Sequence, residues 1–247
     1  MHPFILCRNA KLNRKLSSYT KETMKKAYFI TGTDTDVGKT HIAIELIRFF
    51  VALGYKTIGM KPISAGCEMV DGVLKNSDAL QLIAFSNVDT TYSLVNPFAY
   101  APAIAPHIAA NLVNETISIA KIQANFMHLT VLADVVVVEG AGGFCVPIND
   151  NETIADLSVI LNIPIILVVG MRLGCINHAL LSVQAIEAKG LKIAGWIANE
   201  IDPEMQFLQK NITSLMMRIT APYLGFVAWQ ADSTSNQTFN KLDFKAL

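Results

Sequence analysis

The chain has 247 residues, 52% of them hydrophobic, enough to bury one large core, so a single α/β domain is the default expectation. With 20 basic against 20 acidic residues, no global field favours nucleic acid or an anionic membrane, and a small-molecule ligand is expected instead. The longest apolar runs, around Val135 to Val138 and Ile163 to Val169, fall far short of the roughly 20 residues that a bilayer requires. Cys7, Cys67, Cys145 and Cys175 are widely spaced, which fits reduced thiols in a cytoplasmic enzyme better than a disulfide frame or a zinc site.

Residues 1–23 are basic and acid-poor, with Arg8, Lys11, Arg14, Lys15 and Lys21 set against Glu22. Such a composition suits an organellar transit peptide or a disordered upstream extension before Met24, and the lack of an apolar stripe favours the extension. Ala27 to Thr31 then form an apolar strand. A turn follows, and Gly38-Lys39-Thr40 open a helical pattern from His41 to Leu53 with Ile42, Leu46, Phe49 and Phe50 on one side. This is how a chain builds a nucleotide phosphate cradle: Gly38 lets the backbone approach the phosphates, successive amides point inward, and the helix contributes its positive N-terminal end. Lys39 would reach the β- and γ-phosphates, and the Thr40 hydroxyl would ligate Mg²⁺. Gly32 and Gly38 enclose five residues where the consensus has four, so the flanking strand and helix carry the assignment.

Further along, Lys56 to Met60 read as a short strand and Asp78 to Ala84 as a helix, before a Pro-rich stretch through Pro97, Pro102 and Pro106 that cannot be regular throughout. Glu115 to Leu132 resume a helical period, and Asp134 to Glu139 form a Val-rich strand apolar on both faces. Ile163 to Val169 repeat that strand type. Asn177 to Lys189 read as a helix, Ile193 to Ala198 as a strand, Pro203 to Ile219 as a helix and Tyr223 to Val227 as a last strand. The main unit spans 24–230, and 231–247 reads as a loose polar tail.

Alternation of this kind predicts a single-domain α/β fold of the P-loop NTPase type, with a mostly parallel sheet covered by helices on both faces. Ligands in such sheets bind beyond the carboxyl ends of the strands. Asp36 to Thr40, Lys61, Glu139, Gly170 to Asn177 and Asn199 all fall just after a predicted strand, so five strand ends are expected at one crevice.

Several phrases match one family: GTDTDVGKT, Lys61-Pro62, Asn76-Ser77-Asp78, Val138-Glu139-Gly140-Ala141-Gly142-Gly143, Leu173-Gly174-Cys175-Ile176-Asn177-His178-Ala179 and Gly195-Trp196-Ile197-Ala198-Asn199. From about Met24 to Trp229 the chain resembles the dethiobiotin synthetase family, ATP-dependent ligases that close a cyclic urea in biotin synthesis. The specificity lies in the ordered set, since the phosphate loop alone indicates only a nucleotide-binding fold. The resemblance implies ATP as co-substrate, Mg²⁺, 7,8-diaminopelargonic acid and CO₂ as the other substrates, and a homodimer. It also implies nucleotide contacts from Asp36, Val37, Gly38, Lys39, Thr40, His41, Asp78, Glu139 and Asn199.

The residue types suit these roles. Lys39 and Lys61 are the candidate catalytic cations, with an exposed loop lysine as the bland alternative for Lys61. Thr40, Asp78 and Glu139 supply the oxygen ligands that Mg²⁺ prefers. Glu139 ends a run of four valines, where an unpaired carboxylate is expensive to bury, which argues for a cation partner. Asp78 also fits a helix N-terminal acid, and Asn199 a helix cap rather than an adenine contact. Lys61 and the small residues Gly140, Ala141, Gly142 and Gly143 would leave room for the diamine and its carbamate. Gly174, Cys175, Ile176 and Asn177 sit at a helix start, whose free amides can hold a carboxylate, and the resemblance implies that they hold the substrate's across a dimer interface, with Cys175 a packing residue.

Two departures stand out against the resemblance. Ser64-Ala65-Gly66 carries its hydroxyl one position early, which weakens a substrate role for Ser64, and Ala228 stands where a proline is common in the family. A partition-type ATPase switch would carry a second lysine at the place of Asp34, a glutamine-dependent amide ligase of the cobyric acid synthase kind would need a further domain, and a bare nucleotide-binding module would not need the Glu139 and Gly174 segments.

Overall fold

The computed structural model describes residues 25–229 and 242–247, so the expected extension over 1–23 lies outside the described residues. In chain order the elements are β1 (Lys26–Gly32), α1 (Lys39–Ala52), β2 (Thr57–Met60), β3 (Ile63–Ser64), β4 (Glu68–Val70), β5 (Val73–Lys75), α2 (Ser77–Phe85), α3 (Tyr92–Val95), β6 (Phe98–Ala99) and α4 (Pro106–Leu112). They continue with α5 (Ile119–Leu132), β7 (Val135–Gly143), α6 (Ile154–Leu161), β8 (Ile165–Met171), α7 (Cys175–Ala188), β9 (Ile193–Glu200), α8 (Leu208–Met216), β10 (Tyr223–Val227) and a 3-10 turn at Phe244–Ala246.

Six strands make one parallel sheet in the order β10-β9-β8-β1-β7-β2. The two-residue period of a strand divides the valines of β7 between two cores. Val136 and Val138 pack with α5, α6 and α7 on one face, while Val135 and Val137 pack with α1 on the other. That is why the run is apolar throughout.

Element ends follow local chemistry. Asn76 Oδ1 accepts from the amides of Asp78 and Ala79 and starts α2. Ser118 caps α5 through the Lys121 amide, so this helix starts at Ile119 rather than at Glu115. Phe207, in the left-handed region at φ 56°, precedes α8, which begins five residues after the expected Pro203. The glycine run after Glu139 continues β7, with Gly143 paired to Gly32, instead of turning. α6 was not anticipated, yet Thr153 and Asp156 form a complete capping box before it.

The expectation of a loose tail fails for its last six residues. Leu242 bridges to Gly225, Phe244 is buried against α1, and the Leu247 carbonyl accepts from Lys26 Nζ and the Tyr28 hydroxyl. Burial of two apolar side chains offsets the entropy of ordering the segment. Among the described residues no helix is long and apolar enough to cross a membrane, and Cys67, Cys145 and Cys175 are free thiols.

Candidate active site

The register of the sheet assembles the site. Met60 pairs with Val138 and Ile30 with Glu139, so the first residue beyond β2, Lys61, comes alongside Glu139. Behind β1 the chain turns through Asp36, which takes the left-handed conformation at φ 55°, and Gly38 at φ 88°. A Cβ at Gly38 would lie 2.2 Å from Asn199 Nδ2, so glycine is required there by both torsion and space. The Asn199 amide donates to the Val37 carbonyl at 2.9 Å. Val37 itself is buried, wedged where side chains at Gly32 and Gly170 would collide with it.

A cavity of 810 Å³ opens beside this turn, lined by Thr35, Asp36, Gly38, Lys39 and Thr40, by Lys61 and Ile63 to Ala65, by Asn76, Asp78, Glu139, Ala141 and Gly142, and by the loop from Ala103 to Pro106. Its floor is polar. Glu139 is 1% exposed, and its Oε1 accepts from Lys61 Nζ at 2.5 Å and from the Thr40 hydroxyl at 2.8 Å. Lys61 Nζ also pairs with Asp78 Oδ2 at 3.1 Å. Burial disfavours the Lys61 ammonium, but attraction from Glu139 and Asp78 outweighs it and holds the pKa above the ordinary lysine value. The bland reading of Lys61 as an exposed loop lysine is excluded.

Lys39 is held differently. Its ammonium donates to the Asp34 carbonyl at 2.7 Å, and the Asp34 carboxylate is ion-paired with Arg172. Burial, and next the charge of Lys61, push the Lys39 pKa down to about 8. Because this is below the unfolded value, the folded chain binds fewer protons than the unfolded one between about pH 8 and 10.5, and the group's contribution to stability grows as pH rises through that window. An arriving polyphosphate reverses the preference. ATP binding at pH 8 should therefore take up about half a proton, read calorimetrically as a dependence on buffer ionisation enthalpy, and Lys39→Arg should abolish this uptake. Identical uptake by both proteins would assign it elsewhere.

The donor set suits a magnesium ion. Glu139 Oε2 is buried without a hydrogen-bond partner, an orphan that a bound cation would satisfy, and it lies with the Thr40 hydroxyl and Asp78 on one wall. Among the described residues no three His, Cys, Asp or Glu side chains form a metal cluster, so an ion held here would need further ligands from substrate phosphates and water, as Mg²⁺ commonly accepts.

Other candidates fall elsewhere. Three strand ends line the cavity, not five. Asn199, from the fourth, braces the loop through its donor. His41 lies on α1 outside the cavity lining, its Nε2 buried without a partner and its pKa lowered by burial. Gly140 owes its size to packing, since a Cβ there would come within 3.0 Å of the Phe29 ring, and Gly143 is a sheet residue. Gly174 to Asn177 are outside this cavity. The Cys175 amide already donates to the Arg172 carbonyl, and its thiol is buried, which raises its pKa and unsuits it as a nucleophile. Ser64 lines the wall, but its hydroxyl is turned to Asn96 and Cys67. The Ala103 to Pro106 wall was missed; the length of the Pro-rich loop was its sequence signal. A smaller cavity of 490 Å³, lined by Glu115, Asp150 and Glu152 and by no lysine or arginine, is unsuited to phosphate.

Residues 26–237 match the family model described as "AAA domain". The chain is 47% identical to the ATP-dependent dethiobiotin synthetase BioD of Cellvibrio japonicus, covering 90% of this chain and 98% of the relative. It belongs to the dethiobiotin synthetase family. The relative from Aromatoleum aromaticum, of the same name, is 49% identical over 83% of this chain and 91% of its own length, and that of Pseudomonas aeruginosa 44% over 90% and 97%. The enzyme class read from the motifs, an ATP-dependent ligase of biotin biosynthesis, follows from that membership. The MinC:MinD cell division complex of Aquifex aeolicus shares the fold, with a TM-score of 0.51 at 15% identity over 83% of this chain and 82% of that one. Asp34, at the place where a switch of the partition type was expected to carry a second lysine, is ion-paired with Arg172.

Proposed function

We propose that this chain carboxylates 7,8-diaminopelargonic acid with CO₂ and closes the cyclic urea of dethiobiotin, converting ATP to ADP and phosphate. One amine adds to CO₂ and loses a proton, giving a carbamate. A carbamate oxygen then bonds to the γ-phosphorus as ADP departs, and the second amine attacks the mixed anhydride carbon and expels phosphate. The observation that carries this reading is the Thr40, Lys61, Asp78 and Glu139 constellation with its orphan carboxylate oxygen, set against the phosphate loop in one cavity.

Phosphoryl transfer leaves the protein mainly positioning and charge neutralisation. Lys39, leaving the Asp34 carbonyl, would take the β- and γ-phosphates, with the amides of Asp36 to Thr40 around them. Lys61 would face the carbamate and the transferring group, held by Glu139 and Asp78. Thr40, Asp78 and Glu139 would hold Mg²⁺, which when bound would supply positive charge to offset that of the phosphates. Ala141 and Gly142 leave space for the diamine. Purified protein given ATP, Mg²⁺, bicarbonate and the diamine should form dethiobiotin, detected by mass; phosphate release without that product would overturn the reading.

The substrate carboxylate is assigned to the start of α7 of a second copy, in a cytoplasmic homodimer. Support comes from Leu173, which is 94% exposed immediately before Gly174, an apolar side chain placed as an interface residue would be. Leu173→Glu should weaken association and diamine binding while ATP binding is retained, measured by light scattering and titration of one preparation. A fully active monomer would defeat the shared site.

A further inference from the structure

Asn96 follows α3, is 3% exposed, and uses all of its amide. Its Nδ2 donates to the Lys61 carbonyl at 2.6 Å and to the Phe98 carbonyl at 3.4 Å. Its Oδ1 accepts from the Ser64 hydroxyl at 2.8 Å and the Tyr92 hydroxyl at 2.7 Å. Chemistry fixes this orientation, because two carbonyls require donors and two hydroxyls can supply protons. The Lys61 amide donates in turn to the Val95 carbonyl at 3.0 Å. The backbone beneath Lys61 is therefore bonded on both sides to the end of α3.

Tyr92 extends the frame. Its oxygen accepts the Asn76 amide proton at 2.8 Å, and Asn76 is the cap that starts α2, one residue before Ser77 and two before Asp78. The Asn76 side chain also reaches back to the Ala65 carbonyl at 3.4 Å. A single phenol hydroxyl thus joins the strand end carrying Lys61 to the helix start carrying Asp78, whose side chains meet at 3.1 Å. Burial raises the Tyr92 pKa, which keeps the phenol protonated as the donor to Asn96.

We propose that Tyr92 and Asn96 are positioning residues that fix the Lys61 ammonium between Glu139 and Asp78 and so align it with the transferring phosphoryl group. The inference rests on the reading of Lys61 as a catalytic cation. A lysine stem has four rotatable carbons and no shape of its own, so its alignment must come from the backbone below and the carboxylates around it. Misplacement of a catalytic group by about 1 Å can cost about 10²-fold in rate.

Tyr92→Phe removes one oxygen and leaves the ring in place. It should lower kcat about tenfold while leaving KM for ATP within about twofold, since the phosphate loop lies on another strand. A structural role alone would cost the same factor whatever stands at position 61. In a Lys61→Gln background the Tyr92→Phe change should therefore alter kcat by less than about twofold. A parental kcat for Tyr92→Phe, or an undiminished loss in the Lys61→Gln background, overturns the proposal. If Lys61→Gln alone keeps the parental rate, the reading of Lys61 fails first and separately. Should Tyr92→Phe yield no folded protein, Asn96→Asp carries the same cycle, deleting the donor to the Lys61 carbonyl while keeping the acceptor for Tyr92.

Discussion

Replacing Lys39 by Ala should slow ring closure by about 10²- to 10³-fold at saturating ATP and diamine, the range for a preorganised charge aimed at a reacting centre. The ammonium lies at the cavity wall, 6% exposed, hydrogen-bonded to the neutral Asp34 carbonyl that a phosphate oxygen can replace. With its pKa pushed to about 8 by burial and by Lys61, the charge is less favourable than in water, and an arriving anion would restore it. For the loss to fall on kcat, the ammonium must interact more strongly with the transferring phosphoryl group than with bound ATP, as a charge aimed at the γ-phosphate does when negative charge shifts onto its oxygens. Deleting a disfavoured buried cation should leave the melting temperature close to that of the parent. Ring closure within about threefold of the parent would remove Lys39 from the mechanism, because no preorganised charge of this kind is worth so little.

Glu139→Gln should produce two losses that differ in origin. The variant keeps the shape of the side chain but removes the charge that Lys61 meets at 2.5 Å, leaving that buried ammonium with Asp78 alone. Breaking a buried pair from one side costs about 3–5 kcal/mol, and the remaining Asp78 argues for the lower figure. For a chain of this size that is a fall in melting temperature of roughly 6–12 °C. The second loss is in apparent Mg²⁺ affinity. Even a hydrogen-bonded neighbour of a metal ligand is worth about 10- to 100-fold, so the loss should reach at least the lower value. A Mg²⁺ titration superimposable on that of the parent, with only the melting temperature lowered, would make Glu139 a structural partner of Lys61 and nothing more.

The parts of this site that were readable in the sequence were those whose chemistry is local. A glycine before lysine and threonine at a strand-to-helix turn, and an acid ending four valines, each imply a function from their immediate surroundings. Strand order is another matter, because no short stretch of sequence says that β1 sits between β7 and β8. Without that order the convergence of strand ends was overcounted, and Gly170 to Asn177 were gathered into a crevice that this chain does not give them. The packing at Gly140 was hidden for the same reason: the Phe29 ring that crowds a Cβ there is over a hundred residues away in the chain. Asn199, read as a partner for adenine, also supports the Val37 carbonyl through its donor, a role that no local pattern announces. Tyr92 and Asn96 carry no signal in the sequence, since hydrogen bonds to carbonyls and hydroxyls elsewhere leave no pattern there. α6 is the case that could have been found, from the spacing of Thr153 and Asp156 ahead of an apolar run.

The place of β1 in the sheet also bears on how the chain is made. Both neighbours of the first strand lie in the second half of the chain, beginning at Val135 and Ile165. A nascent chain emerging from the ribosome at about 5–20 residues per second would carry β1 unpaired for roughly 5–20 s before β7 appears. During that interval Phe29 and Ile30, both fully buried in the finished sheet, have no native strand to lie against. The phosphate loop is anchored to β1 and, through Asn199, to β9, so it acquires its shape only near the end of synthesis. The price of a cradle built on a central strand is a long period of exposure to chaperones and to other chains.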